Sequence, residues 1–196
     1  MSHYKPNTDK KIIFHGNSLF HLGNNNLFYG NEVSNYVRTN LVNKKAVFDY
    51  SYQGKTTRQL TTEFPSVVAP YFKSGDILLH WELTNDLNSG QTPAQCLANE
   101  IAYCQQAKAM GLKVYILTCI PRNPTFISDA NRLTLNALIL ADTSFCDGVI
   151  DVTLMTEFSL ATSYLNTTYY NADGTHLTTL GYNLIGQKIL DSINFN

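Results

Sequence analysis

The stretch Lys11-Ile12-Ile13-Phe14-His15-Gly16-Asn17-Ser18 decides the fold, because it is a short apolar run that ends in a polar turn. Its apolar residues are consecutive, whereas a strand with one solvent-facing side alternates apolar and polar residues. After this run, at 11–15, four others of the same character follow at 46–51, 76–81, 113–118 and 148–152. Near-continuous apolar strands are typical of a parallel sheet that is covered on both faces.

Segments with helical spacing separate these strands. Their apolar positions are Val33, Tyr36, Val37 and Leu41, with Asn31 as N-cap, then Leu97, Ile101 and Cys104, then Leu133, Asn136, Ala137 and Leu140, and finally Leu180, Leu184, Ile185 and Ile189. Strands that alternate with helices form right-handed βαβ units. The pattern therefore predicts an α/β protein, a three-layer α/β/α sandwich with five parallel strands. We expect one domain over 11–196, preceded by a polar segment over 1–10.

Composition excludes several classes of protein. The chain has 196 residues, of which 44% are hydrophobic and 15% charged, with a net charge of -1. This length suits one domain, and so apolar a composition argues against disorder. The near-zero charge leaves no basic stripe for a nucleic acid or an anionic membrane surface. No signal peptide or membrane span is evident, so we expect a cytoplasmic protein or part of a larger secreted or virion assembly, of unknown oligomeric state.

The four cysteines, at 96, 104, 119 and 146, form no Cys-x-x-Cys pair, and the histidines show no His-Glu-x-x-His spacing. A zinc site is therefore not expected, and we interpret the cysteines as buried apolar groups. His15 and His80, which end two of the strands, are expected to be hydrogen-bonded structural histidines.

Polar residues with catalytic potential follow the strands, at the sheet edge where open α/β folds bind ligands. Ser18 comes directly after the first strand, two residues beyond a glycine that would allow a tight turn. Asp173 lies three residues before His176, close enough to hold the imidazole so that it can take a proton from a serine hydroxyl. The backbone of Gly54 and the amide of Asn85, after the second and third strands, are suitable oxyanion donors.

These blocks, Gly16-Asn17-Ser18, Gly54, Leu83-Thr84-Asn85-Asp86 and Asp173-Gly174-Thr175-His176, resemble in content and order those of the SGNH hydrolases, or GDSL-like esterases. The resemblance implies a flavodoxin-like sheet and catalysis without a metal or an organic cofactor. It also implies one role for each block: Ser18 as nucleophile, His176 as base, Asp173 as its orienting acid, and the Ser18 N–H, the Gly54 N–H and the Asn85 amide as the oxyanion hole.

Two positions depart from the family pattern. Asn17 stands where the family has Asp, and Leu83 stands where the third block has Gly. Asn17, together with Trp81 and Glu82 beside the third block, is a candidate substrate contact, because an indole can stack on a sugar ring and a carboxylate can bond its hydroxyls. The alternative for Trp81 and Glu82 is an aromatic at the edge of the core and a solvated acid.

Two other hydrolase classes are excluded by spacing. A P-loop needs a glycine five positions before Gly54, where Asp49 stands, and Thr56 with Gln59 instead has capping-box spacing. An α/β-hydrolase needs a glycine two residues after the serine, where Phe20 stands.

We therefore expect a serine esterase that hydrolyses small acyl esters, with acetyl groups on a carbohydrate as the first choice of glycan or small-molecule substrate. A lysophospholipase or thioesterase of the same family is the first alternative. A non-catalytic carbohydrate-binding or structural module on this scaffold is the second.

Overall fold

The structure is a computed structural model that describes residues 10–20, 33–41 and 46–195. The predicted N-cap Asn31 and nearly all of the predicted segment 1–10 lie outside the described residues.

A five-stranded parallel sheet forms the middle layer. The strands are β1 (Ile12–Gly16), β2 (Val47–Asp49), β3 (Ile77–Trp81), β4 (Lys113–Leu117) and β5 (Gly148–Ile150). Their order in the sheet is β2-β1-β3-β4-β5, and every neighbouring pair is parallel. This is the flavodoxin-like order, so the predicted sheet is confirmed.

Within the described ranges, six α-helices cover the two faces of the sheet. They are α1 (Val33–Asn40), α2 (Thr57–Val67), α3 (Thr84–Asn88), α4 (Pro93–Ala109), α5 (Asp129–Ala141) and α6 (Thr179–Ser192). One apolar core contains residues of α1 and α6, and the other contains residues of α2, α4 and α5. Alternate residues of β1 enter opposite cores, Ile12 on the α1 side and Ile13 on the α2 side. The three-layer architecture predicted from the sequence is confirmed.

The capping box predicted for the start of α2 is present. The Thr56 hydroxyl accepts from the Gln59 N–H, and the Gln59 side chain accepts from the Thr56 N–H. This satisfies two backbone donors at the helix end and fixes where the chain turns away from the cleft described below.

The predicted apolar face of α5 is wrong in part. Leu133 and Leu140 are exposed, while the buried face contains Arg132, Leu135, Asn136 and Ile139. Apolar residues occur on most sides of this helix, so periodicity does not select one. Arg132 and Asn136 determine which face of α5 is buried, because their side chains both donate to the backbone oxygen of Cys119 after β4. In α6, Leu180 is likewise exposed, and its small neighbour Gly181 is buried.

The predictions for the cysteines and the two strand histidines are confirmed. All four cysteines are free and buried, and burial raises the pKa of the Cys96 thiol to about 12. The Nδ1 atom of His80 lies 2.5 Å from the backbone oxygen of His15, and Nδ1 of His15 lies 2.6 Å from the Tyr103 hydroxyl. In the described part of the chain, no helix is long and apolar enough to cross a membrane.

Candidate active site

A cleft of about 370 Å³ opens at the carboxyl edge of the sheet. The loops after β1, β2, β3 and β4 and the segment before α6 all contribute to its wall. Its lining residues are Ser18, Leu19, Gln53, Gly54, Thr84, Asn85, Arg122, Thr175 and His176. The fold thus brings all four sequence blocks to one place.

The Ser18 turn is fixed by backbone packing and by Asn17. The Asn17 side-chain oxygen accepts from the Leu19 N–H at 2.8 Å, and its backbone oxygen accepts from the Phe20 N–H at 3.1 Å. Gly16 ends β1 without a positive φ, so its predicted role in a tight turn is wrong. A Cβ there would instead collide with the backbone oxygen of Trp81 on β3. The glycine is required because the two strands approach closely just before the serine.

The Asp173–His176 turn is almost self-contained. One oxygen of Asp173 accepts from the Thr175 and His176 N–H groups at 2.9 and 3.0 Å, and the other lies 2.6 Å from Nδ1 of His176. Burial acts to raise the pKa of Asp173, but these hydrogen bonds outweigh it, so the pKa is lowered. The carboxylate therefore stays ionised and holds Nδ1 in its protonated form.

The other imidazole nitrogen faces the serine. His176 Nε2 lies 2.9 Å from Ser18 Oγ, within hydrogen-bond reach of a base and its nucleophile. Because Nδ1–H donates to Asp173, Nε2 is the unprotonated nitrogen and accepts the serine proton. The three predicted triad residues are thus connected in the order that general-base activation of a serine requires.

Three groups are available to bind an oxyanion. Within the described ranges, neither the Ser18 N–H nor the Gly54 N–H donates to any other group. The Asn85 amide donates one hydrogen to the Lys55 backbone oxygen at 2.9 Å, which orients the side chain and leaves its second hydrogen available. Gly54 has a φ of +72° and open space where a Cβ would be, so its conformation, not crowding, requires glycine.

The loop after β3 is strained at Leu83, where the family has Gly. Leu83 has φ 60° and ψ −30°, and the Thr84 N–H donates to the Glu82 backbone oxygen at 2.6 Å, which closes a γ-turn of the positive-φ form. A side-chain-bearing residue in this conformation costs about 1 to 3 kcal/mol. The Leu83 side chain is buried in the core shared with α2, α4 and α5, and this burial offsets the strain.

Glu82 fastens this loop to the rest of the site. Its Oε1 accepts from the Asn85 N–H at 2.9 Å and from the Asn17 amide at 3.4 Å, and its Oε2 accepts from the Thr57 hydroxyl at 3.4 Å. Burial, followed by the nearby Asp86 carboxylate, raises the pKa of Glu82 well above its ordinary value. Glu82 therefore joins the first block, the third block and the start of α2.

The predicted substrate contacts Asn17, Trp81 and Glu82 are wrong. All three are buried, at 0%, 0% and 1% exposure. The Trp81 indole donates to the Thr118 backbone oxygen at 3.1 Å and packs edge-on against Phe20, so its ring belongs to the core. The side chains of Asn17 and Glu82 hydrogen-bond to each other and to nearby backbone N–H groups.

Sequence reasoning missed Arg122, which lines the cleft from the loop after β4. In the sequence, the one indication of this role was the position of Arg122 in the loop after the fourth strand. Thr84 was quoted inside the third block, but its contact with Arg122 was not foreseen.

The described fold is shared with several solved structures. A G-D-S-L family lipolytic protein from Veillonella parvula is 16% identical, with a TM-score of 0.77 over 94% of this chain and 98% of that one. The chain has the fold of a G-D-S-L protein. A lipase/acylhydrolase from Enterococcus faecalis is 18% identical, with a TM-score of 0.75 over 94% and 95%. The Pseudoalteromonas esterase EstA, in a structure inhibited by monoethylphosphonate, is 14% identical, with a TM-score of 0.71 over 94% and 96%. Neither a protein-family model nor a curated sequence matches the chain.

Proposed function

We propose that this chain is a serine esterase that transfers a small acyl group from an ester to Ser18 and then to water. One observation carries the proposal: Ser18 Oγ, His176 and Asp173 form a continuous hydrogen-bonded chain at a cleft that also contains three oxyanion donors. The G-D-S-L fold supports it, since the neighbours with that fold are named lipases, acylhydrolases and esterases.

The geometry supports a two-step reaction. Ser18 Oγ attacks the ester carbonyl carbon while His176 Nε2 takes the hydroxyl proton, and the carbonyl electron pair moves onto the oxygen. The N–H groups of Ser18 and Gly54 and the Asn85 amide then bind this oxyanion. As the tetrahedral intermediate collapses, the ester C–O bond breaks and His176 gives its proton to the departing alcohol.

In the second step, water replaces the alcohol. His176 takes a proton from the water as its oxygen attacks the acyl carbon, and the same three donors bind the second oxyanion. When this intermediate collapses, the bond to Ser18 breaks, the acid is released, and the serine recovers its proton from His176.

The substrate class that we propose is a small acyl ester, with an acetyl group on a carbohydrate as first choice. A cleft of about 370 Å³ is near the lower end of the range for small-molecule sites. Most of the described residues that line it carry a polar side chain, which can hydrogen-bond the hydroxyls of a sugar alcohol. Lysophospholipid or thioester hydrolysis is the second choice.

Hydrolysis of p-nitrophenyl acetate by the wild type and by Ser18→Ala tests the reaction. We expect the substitution to lower kcat/KM by about 10³-fold or more, because it removes the nucleophile. The matched control is Ser66→Ala, a change of the same kind at an exposed position near the end of α2. An inactive wild type, or equal rates for wild type and Ser18→Ala, would show instead a non-catalytic module.

Two further measurements refine the proposal. A series of p-nitrophenyl esters from acetyl to octanoyl tests acyl size, and a preference for octanoate contradicts the small-acyl class. Treatment with an ethyl phosphonate ester, followed by mass spectrometry of peptides, should label Ser18 in the wild type. The same label should be absent in His176→Ala, whose serine lacks its base.

A further inference from the structure

Arg122 is the only cationic side chain that lines the cleft among the described residues. It lies in the loop after β4, and the Asn123 N–H beside it donates to the Gly174 backbone oxygen at 2.7 Å. That bond ties the loop of Arg122 to the turn that contains Asp173 and His176. The guanidinium is therefore held near the position where an ester would react.

The positive charge of Arg122 is not neutralised by the described part of the protein. No described carboxylate lies within 4.0 Å of its nitrogens. One Nη1 hydrogen goes to the Thr84 hydroxyl at 3.0 Å, and the Nε atom is buried without a hydrogen-bond partner. The guanidinium carbon lies 4.9 Å from the centre of the Phe126 ring, within the range of a cation–π contact.

The nearest acids do not supply the missing partner. Both oxygens of Asp173 are used by its own turn and by His176, and Glu82 is buried with Asn17 and Asn85. Burial acts first to lower the pKa of Arg122, and Asp173 and Glu82 oppose it. An arginine remains cationic at neutral pH even after such a shift. A partly buried, unpaired cation is costly, so its presence in the cleft calls for a ligand of opposite charge.

We propose that Arg122 binds an anionic group, a carboxylate or phosphate, that the ester substrate itself carries. This inference rests on the esterase function proposed above and narrows its substrate class. A guanidinium offers a planar fork of donors that matches a carboxylate or phosphate. With a carbohydrate as the alcohol, the substrate is then an acylated sugar acid or sugar phosphate.

Paired esters that differ by one charge test the inference. For the alcohol side, the pair is para-acetoxybenzoate and its methyl ester. For the acyl side, the pair is the p-nitrophenyl hemisuccinate and p-nitrophenyl butyrate. The measured quantity is the kcat/KM ratio of the anionic to the neutral ester, compared between wild type and Arg122→Gln. Because each comparison uses the same two esters, their intrinsic reactivities cancel.

We expect Arg122→Gln to lower this ratio by about tenfold or more for at least one pair of esters. The reason is that the substitution removes a hydrogen bond between two charged groups. Arg122→Lys, which keeps the charge but loses the fork, should restore part of the ratio. The matched control Arg58→Gln removes the same charge at an exposed position on α2 and should leave the ratio unchanged. The pair that responds identifies which side of the ester carries the anion.

A second measurement uses only the wild type, so its result does not depend on whether a variant folds. Raising the salt concentration from about 0.05 M to about 0.5 M should slow the anionic ester more than the neutral one. If Arg122→Gln slows both members of each pair equally, or if salt affects them equally, the inference is overturned while the esterase proposal stands. If the wild type hydrolyses none of the four esters, both fall together.

Discussion

The two loops that supply most of the site's polar groups are built in opposite ways. The turn from Asp173 to His176 makes its main hydrogen bonds within four residues, and its carboxylate is half-exposed and ionised. The loop from Glu82 to Asp86 is mostly buried, strained at Leu83, and held by the Glu82 carboxyl, which bonds groups from three parts of the chain. A local turn can be recognised from spacing alone, whereas a loop fixed by distant partners cannot.

The largest effect should come from the local turn. Asp173→Asn keeps the shape of the side chain but places an amide where His176 needs an acceptor. We expect kcat/KM for p-nitrophenyl acetate to fall by about 10³- to 10⁴-fold, because the imidazole is no longer held in the required tautomer. Asp142→Asn, in an exposed turn after α5, is the matched control and should keep wild-type activity. A loss below about tenfold would contradict the orienting role of Asp173.

The buried loop should respond to pH instead. The pKa of folded Glu82 is raised above its unfolded value, so between the two values the folded chain holds a proton that the unfolded chain releases. The contribution of Glu82 to the free energy of unfolding of the wild type is therefore complete below the unfolded pKa, and it decreases as the pH rises toward the folded pKa. Glu82→Gln keeps a neutral side chain at every pH, so its Tm should gain on that of the wild type as the pH rises above about 4.3, the ordinary pKa of a glutamate.

Glu157→Gln, at a partly exposed glutamate, is the matched control for that experiment, and its Tm difference from the wild type is measured over the same pH range. A constant difference between Glu82→Gln and the wild type across this range would mean that Glu82 is ionised when folded.

Asn17→Asp should destabilise the loop from Glu82 to Asp86 through its contact with Glu82. It introduces the residue that the resembled family has at this position, but it removes a donor to Glu82 and puts a second carboxyl beside it. We expect a loss of about 2 kcal/mol in the free energy of unfolding, measured by urea titration. Combined with Glu82→Gln, the loss should be smaller than the sum of the single changes, because one of the facing carboxyls is gone. Additive losses would show that the two residues are independent.

The smallest effect should come from the strain itself. Leu83→Ala and Leu83→Gly both lose the buried side chain, but only glycine relieves the positive φ. We expect Leu83→Gly to be the more stable of the two by about 1 kcal/mol. At Leu87, in helical conformation on α3, the order should reverse, since glycine is about 1 kcal/mol worse than alanine in a helix. The same order at both positions would contradict strain at Leu83.

This contrast also explains what the sequence could predict. The sheet was predictable because each strand is a consecutive apolar run, and Ser18, Asp173 and His176 were located because each follows a simple positional rule. The buried face of α5 was not predictable, since Arg132 and Asn136 choose it through one distant oxygen of Cys119. Trp81 was predicted to contact substrate because it stands at a strand end, yet its indole N–H donates to the backbone oxygen of Thr118, just after the neighbouring strand β4.

The Asn17–Glu82 bond also restricts how the chain can change over generations. An amide at 17 can donate to Glu82 at any pH, whereas a second carboxyl there must share a proton with Glu82 or leave two like charges buried together. An aspartate at 17 should therefore cost less stability when it follows a change at 82 than when it precedes one. The order of mutations is therefore constrained at a pair of residues that never touches the substrate.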